Sequence, residues 1–431
     1  MFTRKPKETG PSLGGQITLP GDKSISHRAL ILSALAGGSS TIRNLNTGDD
    51  VSRTRSILEQ VGVSVTEPNG VVEVEGRGTG RLIEAETVLD CGNSGTTMRL
   101  LLGVFAGAPG GFFLTGDQSL RKRPMLRVVA PLRQMGASID GIEHANRAPL
   151  FVRGRALHGV DVELPVASAQ VKSALLLAAL AAAGSTTVVE PGSSRDHTER
   201  MLEAAGIEVT RSSPGTVSLE GPAAPDPLDI EVPGDVSAAA FLVGAAAVMA
   251  GSDLTLTGVG LNPTRTGWLD VLREMGADVD HSIEKEKSGE PVGVVQAKSA
   301  PLHATVIEGA RIPVLIDELP LLAVIATQAE GRTVIRDAAE LRVKESDRID
   351  ALAQGLRTLG AQVETEPEGM AITGPSRLKA GIVDSFGDHR IAMAFAIAGL
   401  ISNEKVTVRG WSCVDTSFPN FLSTLQQAAG R

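Results

Sequence analysis

The sequence predicts an α/β protein of two domains, each built from three β-α-β-α-β-β repeats of about 70 residues. Three observations carry this. One local shape, an extended run followed by a small polar turn and an apolar helix, occurs six times. Its turns open at Asp22, Asn93, Ser168, Asp235, Asp317 and Asp388, spaced 71, 75, 67, 82 and 71 residues apart. Five units share one ending: Leu58-Glu-Gln-Val-Gly62, Leu132-Arg-Gln-Met-Gly136, Leu202-Glu-Ala-Ala-Gly206, Leu272-Arg-Glu-Met-Gly276 and Leu356-Arg-Thr-Leu-Gly360; the sixth, near Leu422 to Gly430, runs into the chain end. Finally, 431 residues are too many for one hydrophobic core.

Within a unit the elements follow from their residues. In the first, Leu19-Pro-Gly turns the chain, Asp22 or Ser24 can cap the helix, and Gly37-Gly38 ends it. The first helices carry Ala, Leu and Val all round, which predicts burial on every side, with the sheets outside them. A β-rich run follows each: Ser39–Arg43, Gly111–Thr115, Ser185–Val189, Ser252–Leu256, Arg332–Arg336 and Lys405–Arg409. A second helix comes next.

Pro20-Gly-Asp-Lys-Ser and Pro233-Gly-Asp-Val-Ser open the two halves, and Gly221-Pro-Ala-Ala-Pro-Asp-Pro227 before the second reads as a linker. The expected domains are 21–230 and 1–20 with 231–431, with hinges near 20 and 221–234. The first-helix N-termini should gather at one end of each domain, and two such ends facing each other would make a cleft lined with free N–H groups.

Composition narrows the function. Apolar residues make up 42% and charged residues 21%, an ordinary globular balance. A net charge of −9 argues against nonspecific nucleic-acid binding, and 3% aromatic residues with no tyrosine argue against base stacking. Cys91 and Cys413 make no framework or metal spacing and suit a reducing cytoplasm. Residues 1–15 lack the apolar core of a signal peptide, and no apolar helix reaches the length of a membrane span.

An acidic chain nevertheless places Lys23, Arg28, Arg99, Lys172 and Arg390 at or near first-helix starts, with Arg121-Lys-Arg-Pro124, Ser194-Arg-Asp-His-Thr-Glu-Arg200 and Leu341-Arg-Val-Lys-Glu-Ser-Asp-Arg348 between them. A single charge cluster is usually a solvated face. Cations gathered beside free backbone N–H groups at a repeated position predict small, multiply anionic ligands.

Seven segments, in order, then match a known family. Pro20-Gly-Asp-Lys-Ser-Ile-Ser-His-Arg28, Gly92-Asn-Ser-Gly-Thr96, Arg123-Pro-Met125, Ser168-Ala-Gln-Val-Lys-Ser173, Ser194-Arg-Asp-His-Thr-Glu199, Arg342-Val-Lys-Glu-Ser-Asp-Arg348 and Gly387-Asp-His-Arg390 resemble the 5-enolpyruvylshikimate-3-phosphate synthases. The likeness runs from about residue 14 to 425. It implies a two-domain inverse α/β barrel, the enolpyruvate transferase fold, closing over its ligands. It also implies transfer of the enolpyruvyl group of phosphoenolpyruvate to the 5-hydroxyl of 3-phosphoshikimate, with release of phosphate, in the shikimate pathway. A cytoplasmic monomer needing no cofactor or metal is implied as well.

Carried over by motif, Lys23 resembles the lysine that touches both substrates. Ser24, Arg28, Ser168, Ala169, Gln170, Ser194, Asp317 and Lys344 resemble residues that bind 3-phosphoshikimate, and Gly95, Arg123, Gln170, Arg348 and Arg390 those that bind phosphoenolpyruvate. Asp317 resembles the general base and Glu345 a proposed acid. In the last loop, where some members carry a lysine, this chain has Thr416, and where many have Asn it has Glu340. The resemblance further implies that glyphosate binds in the phosphoenolpyruvate site, against Gly95, where a glycine leaves room for a ligand beside the backbone.

The chemistry asks for these residue types. The attacking hydroxyl must lose a proton, which a carboxylate such as Asp317 can accept. The methylene carbon of phosphoenolpyruvate must gain one, from Glu345 or Lys23. Three arginines fix the carboxylate and phosphate. Two alternatives stand beside this reading. A UDP-N-acetylglucosamine enolpyruvyl transferase of the same fold would carry Asn after the first lysine and a cysteine in the Gly116–Arg123 loop; this chain has Ser24 and no cysteine there. A noncatalytic binder of phosphorylated metabolites would have no need of Asp317 and Glu345 beside the arginines.

Overall fold

The computed structural model describes residues 2–4, 12–402 and 404–430. Twelve helices set out the six repeats. The first helices are α1 (Lys23–Leu35), α3 (Gly95–Ala106), α5 (Ala169–Ala179), α7 (Val236–Val248), α9 (Leu319–Ala326) and α11 (His389–Ile401). The second helices are α2 (Asp49–Gln60), α4 (Leu126–Gln134), α6 (His197–Ala204), α8 (Gly267–Glu274), α10 (Arg348–Thr358) and α12 (Phe421–Ala428).

Burial follows the apolar sequence. Every residue of α9, and all but one of α7 and of α3, is buried. In one unit α3 packs against α1 and α5; in the other α7, α9 and α11 pack on one another. The α3–α5 approach is close enough to require Gly103, because a Cβ there would lie 2.1 Å from the Ala174 carbonyl oxygen. The strands alternate, as in Arg147–Arg153 and Val72–Arg77, with one face on helices and one towards solvent.

The recurrent Leu-x-x-x-Gly ending is a helix stop made the same way five times. Gly62, Gly136, Gly206, Gly276 and Gly360 have φ of 91°, 98°, 78°, 93° and 86°. In each case the N–H after the glycine donates to the leucine carbonyl five residues back: Val63 to Leu58 at 3.0 Å, Ala137 to Leu132 at 3.0 Å, Ile207 to Leu202 at 2.9 Å, Ala277 to Leu272 at 2.9 Å and Ala361 to Leu356 at 3.0 Å.

Side-chain caps form at four of the six turns. Asp22, Asp235 and Asp388 do cap α1, α7 and α11, while Ser24 lies inside α1. In the turn that opens at Asn93 the cap of α3 is Ser94, and Ser168 makes no side-chain cap bond. The fifth helix starts at Leu319, with Glu318 in the cap position, so Asp317 is not spent on capping.

Two compact units emerge. One comprises Gly21–Val232 with Lys287–Glu290; the other comprises the described residues up to Pro20, Pro233–Glu286 and the chain from Pro291. The Gly221–Pro227 stretch, expected as a linker, is bound within the first of these, with Ala223 N–H donating to Leu180 and Asp226 N–H to Ala205.

One strand per unit departs from the predicted order. The entry strand Gly14–Thr18 does not join the sheet of its own repeat; it pairs in parallel with Asp253–Thr257 of the fourth. Asp229–Glu231, the equivalent strand before α7, pairs in parallel with Thr41–Arg43 of the first. The first and fourth repeats have exchanged entry strands. The sheets of the second, third and fifth repeats keep the predicted plan, an entry strand parallel to the strand after the first helix and then an antiparallel hairpin, as in Leu89–Asp90, Gly111–Thr115, Arg147–Arg153 and Ser138–Gly141. The sixth departs from it: Gly381–Asp384 pairs in parallel with Val406–Arg409, and in place of the expected hairpin Phe2–Arg4 pairs antiparallel with Val406–Val408.

Candidate active site

Most of the residues expected at the site sit at helix starts, with Arg123, Ser194, Lys344 and Glu345 in the segments just before a second helix, and each unit brings together its own set. In the unit of Gly21–Val232, Lys23, Ser24 and Arg28 lie on the first turns of α1. Lys23 Nζ is 2.9 Å from Asp50 Oδ2 at the start of α2, and the Asp50 carbonyl accepts from Thr97 Oγ1 of α3 at 3.3 Å. Arg28 is buried and spans three helices: Nε donates to Thr198 Oγ1 of α6 at 2.6 Å, one terminal nitrogen to Ser173 Oγ of α5 at 2.7 Å, and the other to the Ser24 carbonyl at 2.9 Å. Behind it His27 is fully enclosed, and burial, with Lys23 and Arg28 nearby, holds its imidazole well below the usual pKa and therefore neutral.

Gly95 is the first residue of α3. A Cβ there would lie 3.1 Å from an Arg99 terminal nitrogen and 3.2 Å from one of Arg123. The room left by Gly95 is thus bounded by two guanidinium tips as well as by any ligand. Arg123, just before α4, donates to Asn93 Oδ1 at 2.6 Å. Gln170 joins the third turn to the second, donating to Thr96 Oγ1 at 2.9 Å and accepting from Arg99. Ser168 and Ala169 stand beside it at the start of α5. Ser194 is in the loop before α6, and its hydroxyl donates to Glu190 Oε2 at 2.8 Å.

The other unit brings together Asp317, Lys344, Glu345, Arg348 and Arg390. Arg348 opens α10 and is 1% exposed. It donates to Asp388 Oδ2 at 2.7 Å, to Glu345 Oε2 at 2.7 Å and to Asp317 Oδ1 at 3.3 Å. Burial opposes its charge, but Asp388, Glu345 and Asp317 outweigh that and raise its pKa. Asp388 does double duty, since its other oxygen accepts the Arg390 backbone N–H at 2.9 Å as the cap of α11. The Arg390 guanidinium lies 3.8 Å from Asp317 Oδ2 and 3.6 Å from Glu318 Oε1. Lys344 is 3.6 Å from Glu340, the position at which many resembling sequences have Asn. Burial lowers the pKa of its ammonium against the pull of Glu340 and Asp317.

Sequence reasoning missed most of the carboxylates. Asp50, Glu190, Asp388 and Glu318 hold groups named above, yet each acquires its partner only through folding. Asp50 is 27 residues from Lys23, Glu190 is 22 from Ser168 and Asp388 is 40 from Arg348. Asp388 alone had a local signal, its place as a helix cap. Among the described residues no group of His, Cys, Asp or Glu is arranged to hold a metal ion, and no helix is long and apolar enough to cross a membrane. At Thr416 the hydroxyl donates to the Cys413 carbonyl at 2.7 Å.

Comparison with known proteins gives one consistent result. A family model described as EPSP synthase (3-phosphoshikimate 1-carboxyvinyltransferase) matches residues 7–425. The chain is 53% identical over 423 residues to a 3-phosphoshikimate 1-carboxyvinyltransferase of Roseiflexus sp. (strain RS-1), covering 97% of this chain and 98% of the other. It is 53% identical over 415 residues to one of Gloeobacter violaceus, covering 96% of each. Among solved structures, it is similar to an EPSP synthase from Acinetobacter baumannii at a TM-score of 0.87 and 40% identity, covering 99% of this chain and 98% of that one. The enolpyruvyl transferase NikO from Streptomyces tendae shares the fold at a TM-score of 0.80 and 18% identity, covering 99% and 97%.

Proposed function

We infer the reaction from the premise that this chain belongs to the EPSP synthase family. It is a transferase, a 3-phosphoshikimate 1-carboxyvinyltransferase, moving the enolpyruvyl group of phosphoenolpyruvate onto the 5-hydroxyl of 3-phosphoshikimate and releasing phosphate, a step of aromatic amino-acid biosynthesis. The observation that carries the reading is the joint presence of basic helix starts in one unit and an arginine–carboxylate cluster in the other, on a chain about half identical over nearly its full length to proteins of that name.

The residue roles are proposals. Arg28, Ser24, Ser168, Ala169, Gln170, Ser194 and Lys344 hold 3-phosphoshikimate. Gly95, Arg123, Gln170, Arg348 and Arg390 hold phosphoenolpyruvate, and Lys23 meets both. Guanidinium forks suit carboxylate and phosphate because two parallel N–H donors match two oxygens. Asp317 is the base. It lies against Arg348 and Arg390, the two groups proposed to take the substrate's carboxylate and phosphate. An arriving anion competes for those guanidiniums and frees Asp317 to accept the hydroxyl proton. Lys23, proposed to meet both substrates, is the proposed proton donor. Glu345 would have to give up its 2.7 Å ion pair with Arg348 to hold one. Ser194 would have to turn its hydroxyl away from Glu190 to donate to a phosphate.

The free thiols, one buried at Cys91 and one at Cys413 pushed up to about 11 by burial, fit a reducing compartment. The test is turnover. Purified protein given phosphoenolpyruvate and 3-phosphoshikimate should release phosphate and form the enolpyruvyl ether in equal amounts. Turnover of UDP-N-acetylglucosamine instead, or tight binding with no phosphate released, would overturn the reading.

A further inference from the structure

One buried carboxylate that the proposed roles do not use joins three of the groups at and beside the proposed 3-phosphoshikimate site. Glu190 follows the strand Ala182–Val189 and is 4% exposed. Its Oε1 accepts the Ser168 backbone N–H at 2.7 Å. Its Oε2 accepts the Ser194 hydroxyl at 2.8 Å and lies 2.7 Å from Lys172 Nζ. Lys172, one turn into α5 and also buried, reaches on to Glu199 Oε1 of α6 at 2.8 Å. Burial disfavours the ammonium, but Glu199 and Glu190 outweigh it and raise its pKa.

This arrangement is costly for a purely structural link. Buried ions lose hydration worth several kcal/mol each, and apolar residues of like size often serve stability as well or better. Glu199 Oε2, moreover, is buried with no hydrogen-bond partner among the described residues. What the network does achieve is geometric. It ties the start of α5 and the loop 190–195 to a single carboxylate, and through Lys172 and Glu199 to α6. Ser168 is held through its backbone N–H, and its side chain makes no cap bond, so the hydroxyl and the first-turn amides of α5 are left to a ligand. Lys172 also offsets part of the negative charge that would otherwise repel a phosphate.

We propose that Glu190 is a positioning residue for 3-phosphoshikimate, setting the start of α5 and the Ser194 loop in register for the substrate phosphate through Ser168, Ser194 and Lys172. This rests on the functional reading above. It does not touch the reacting atoms, so its removal should act on one substrate only. Steady-state kinetics of Glu190→Ala and Glu190→Gln test it, with Ser168→Ala alongside and thermal melting of each. Glu190→Ala should raise KM for 3-phosphoshikimate roughly 10- to 100-fold, the range for lost hydrogen bonds to a charged group, with kcat and KM for phosphoenolpyruvate within about threefold. Glu190→Gln keeps the shape and one acceptor oxygen and should recover much of the loss. A KM for 3-phosphoshikimate that stays put while kcat or melting temperature falls would overturn the proposal. If Ser168→Ala shifts that KM and folded Glu190→Gln and Glu190→Ala do not, positioning by Glu190 fails and the substrate placement survives. If wild-type protein does not turn over 3-phosphoshikimate, the functional reading fails, and this proposal with it.

Discussion

Arg28 and Arg348 are both buried guanidiniums at the head of a helix, and they are held in opposite ways. The partners of Arg28 include two hydroxyls and a carbonyl. Arg348 donates to three carboxylates. Hydroxyl and carbonyl acceptors fix a guanidinium in place without neutralising its charge. Carboxylates fix it and use that charge, so an incoming anion has to exchange for one of them. The first arrangement suits binding a phosphate that stays intact. The second suits a step in which a carboxylate must be released at the moment the substrate arrives. The kind of oxygen that holds each arginine thus separates a guanidinium suited to binding from one whose carboxylates include the proposed base, Asp317.

The strongest way to break this contrast is Asp317→Ala. If the carboxylates around Arg348 serve chemistry, turnover should fall by roughly 10² to 10⁴, the usual share of a general base, with 3-phosphoshikimate binding kept within about tenfold. Phosphate-release assays and calorimetry decide it, and near wild-type turnover would remove the base assignment. Gly95→Ala sharpens the other side. The new methyl meets the tips of Arg99 and Arg123 at 3.1 Å and 3.2 Å, so both must move. Overpacking of this kind costs about 1–3 kcal/mol, and KM for phosphoenolpyruvate and the inhibition constant of glyphosate should both rise by roughly 5- to 150-fold. Unmoved curves would take Gly95 away from the ligand.

A smaller effect separates the two units by pH. Burial lowers the pKa of Lys344 below its ordinary 10.5, so its charge disappears earlier on the alkaline side. If Lys344 holds 3-phosphoshikimate as proposed, KM for that substrate should begin to rise while exposed lysines remain charged. The linkage sign agrees: between the folded and unfolded pKa values the unfolded chain binds the extra proton, so this residue's contribution to stability rises with pH through that window. Lys344→Arg should flatten the alkaline rise in KM; an unchanged profile would assign it to another group.

The repeat plan was legible because it is periodic. Leu58 to Gly62 and its four counterparts announce a helix stop whose left-handed glycine any reader of sequence can expect, and the all-apolar α7 can only be interior. The exchange of Gly14–Thr18 with Asp229–Glu231 was not legible. The two strands carry nearly the same local pattern, and the sheet each joins is decided by where the chain crosses between units. The cations of the site were legible from their place at helix starts. Their carboxylates were not, since Glu190 finds Ser168 and Lys172, and Asp388 finds Arg348, only once separate repeats are packed. Asp317 was found by motif, but its freedom from capping duty depends on α9 starting at Leu319.

The strand exchange bears on how such a chain can be inherited in pieces. The repeats suggest that a half could be copied, lost or traded as a block cut at the start of its entry strand. A block cut there would carry Gly14–Thr18 away from Asp253–Thr257 and leave Thr41–Arg43 an open edge where Asp229–Glu231 belongs. Cuts at Pro20 and Val232 keep each strand with its sheet, but they still divide His197 from Glu290, 2.7 Å apart and supplied by the tip Lys287–Glu290. Recombination between relatives is therefore expected to succeed within a unit, at the even-numbered helices, more readily than at the boundary where the sequence looks most divisible.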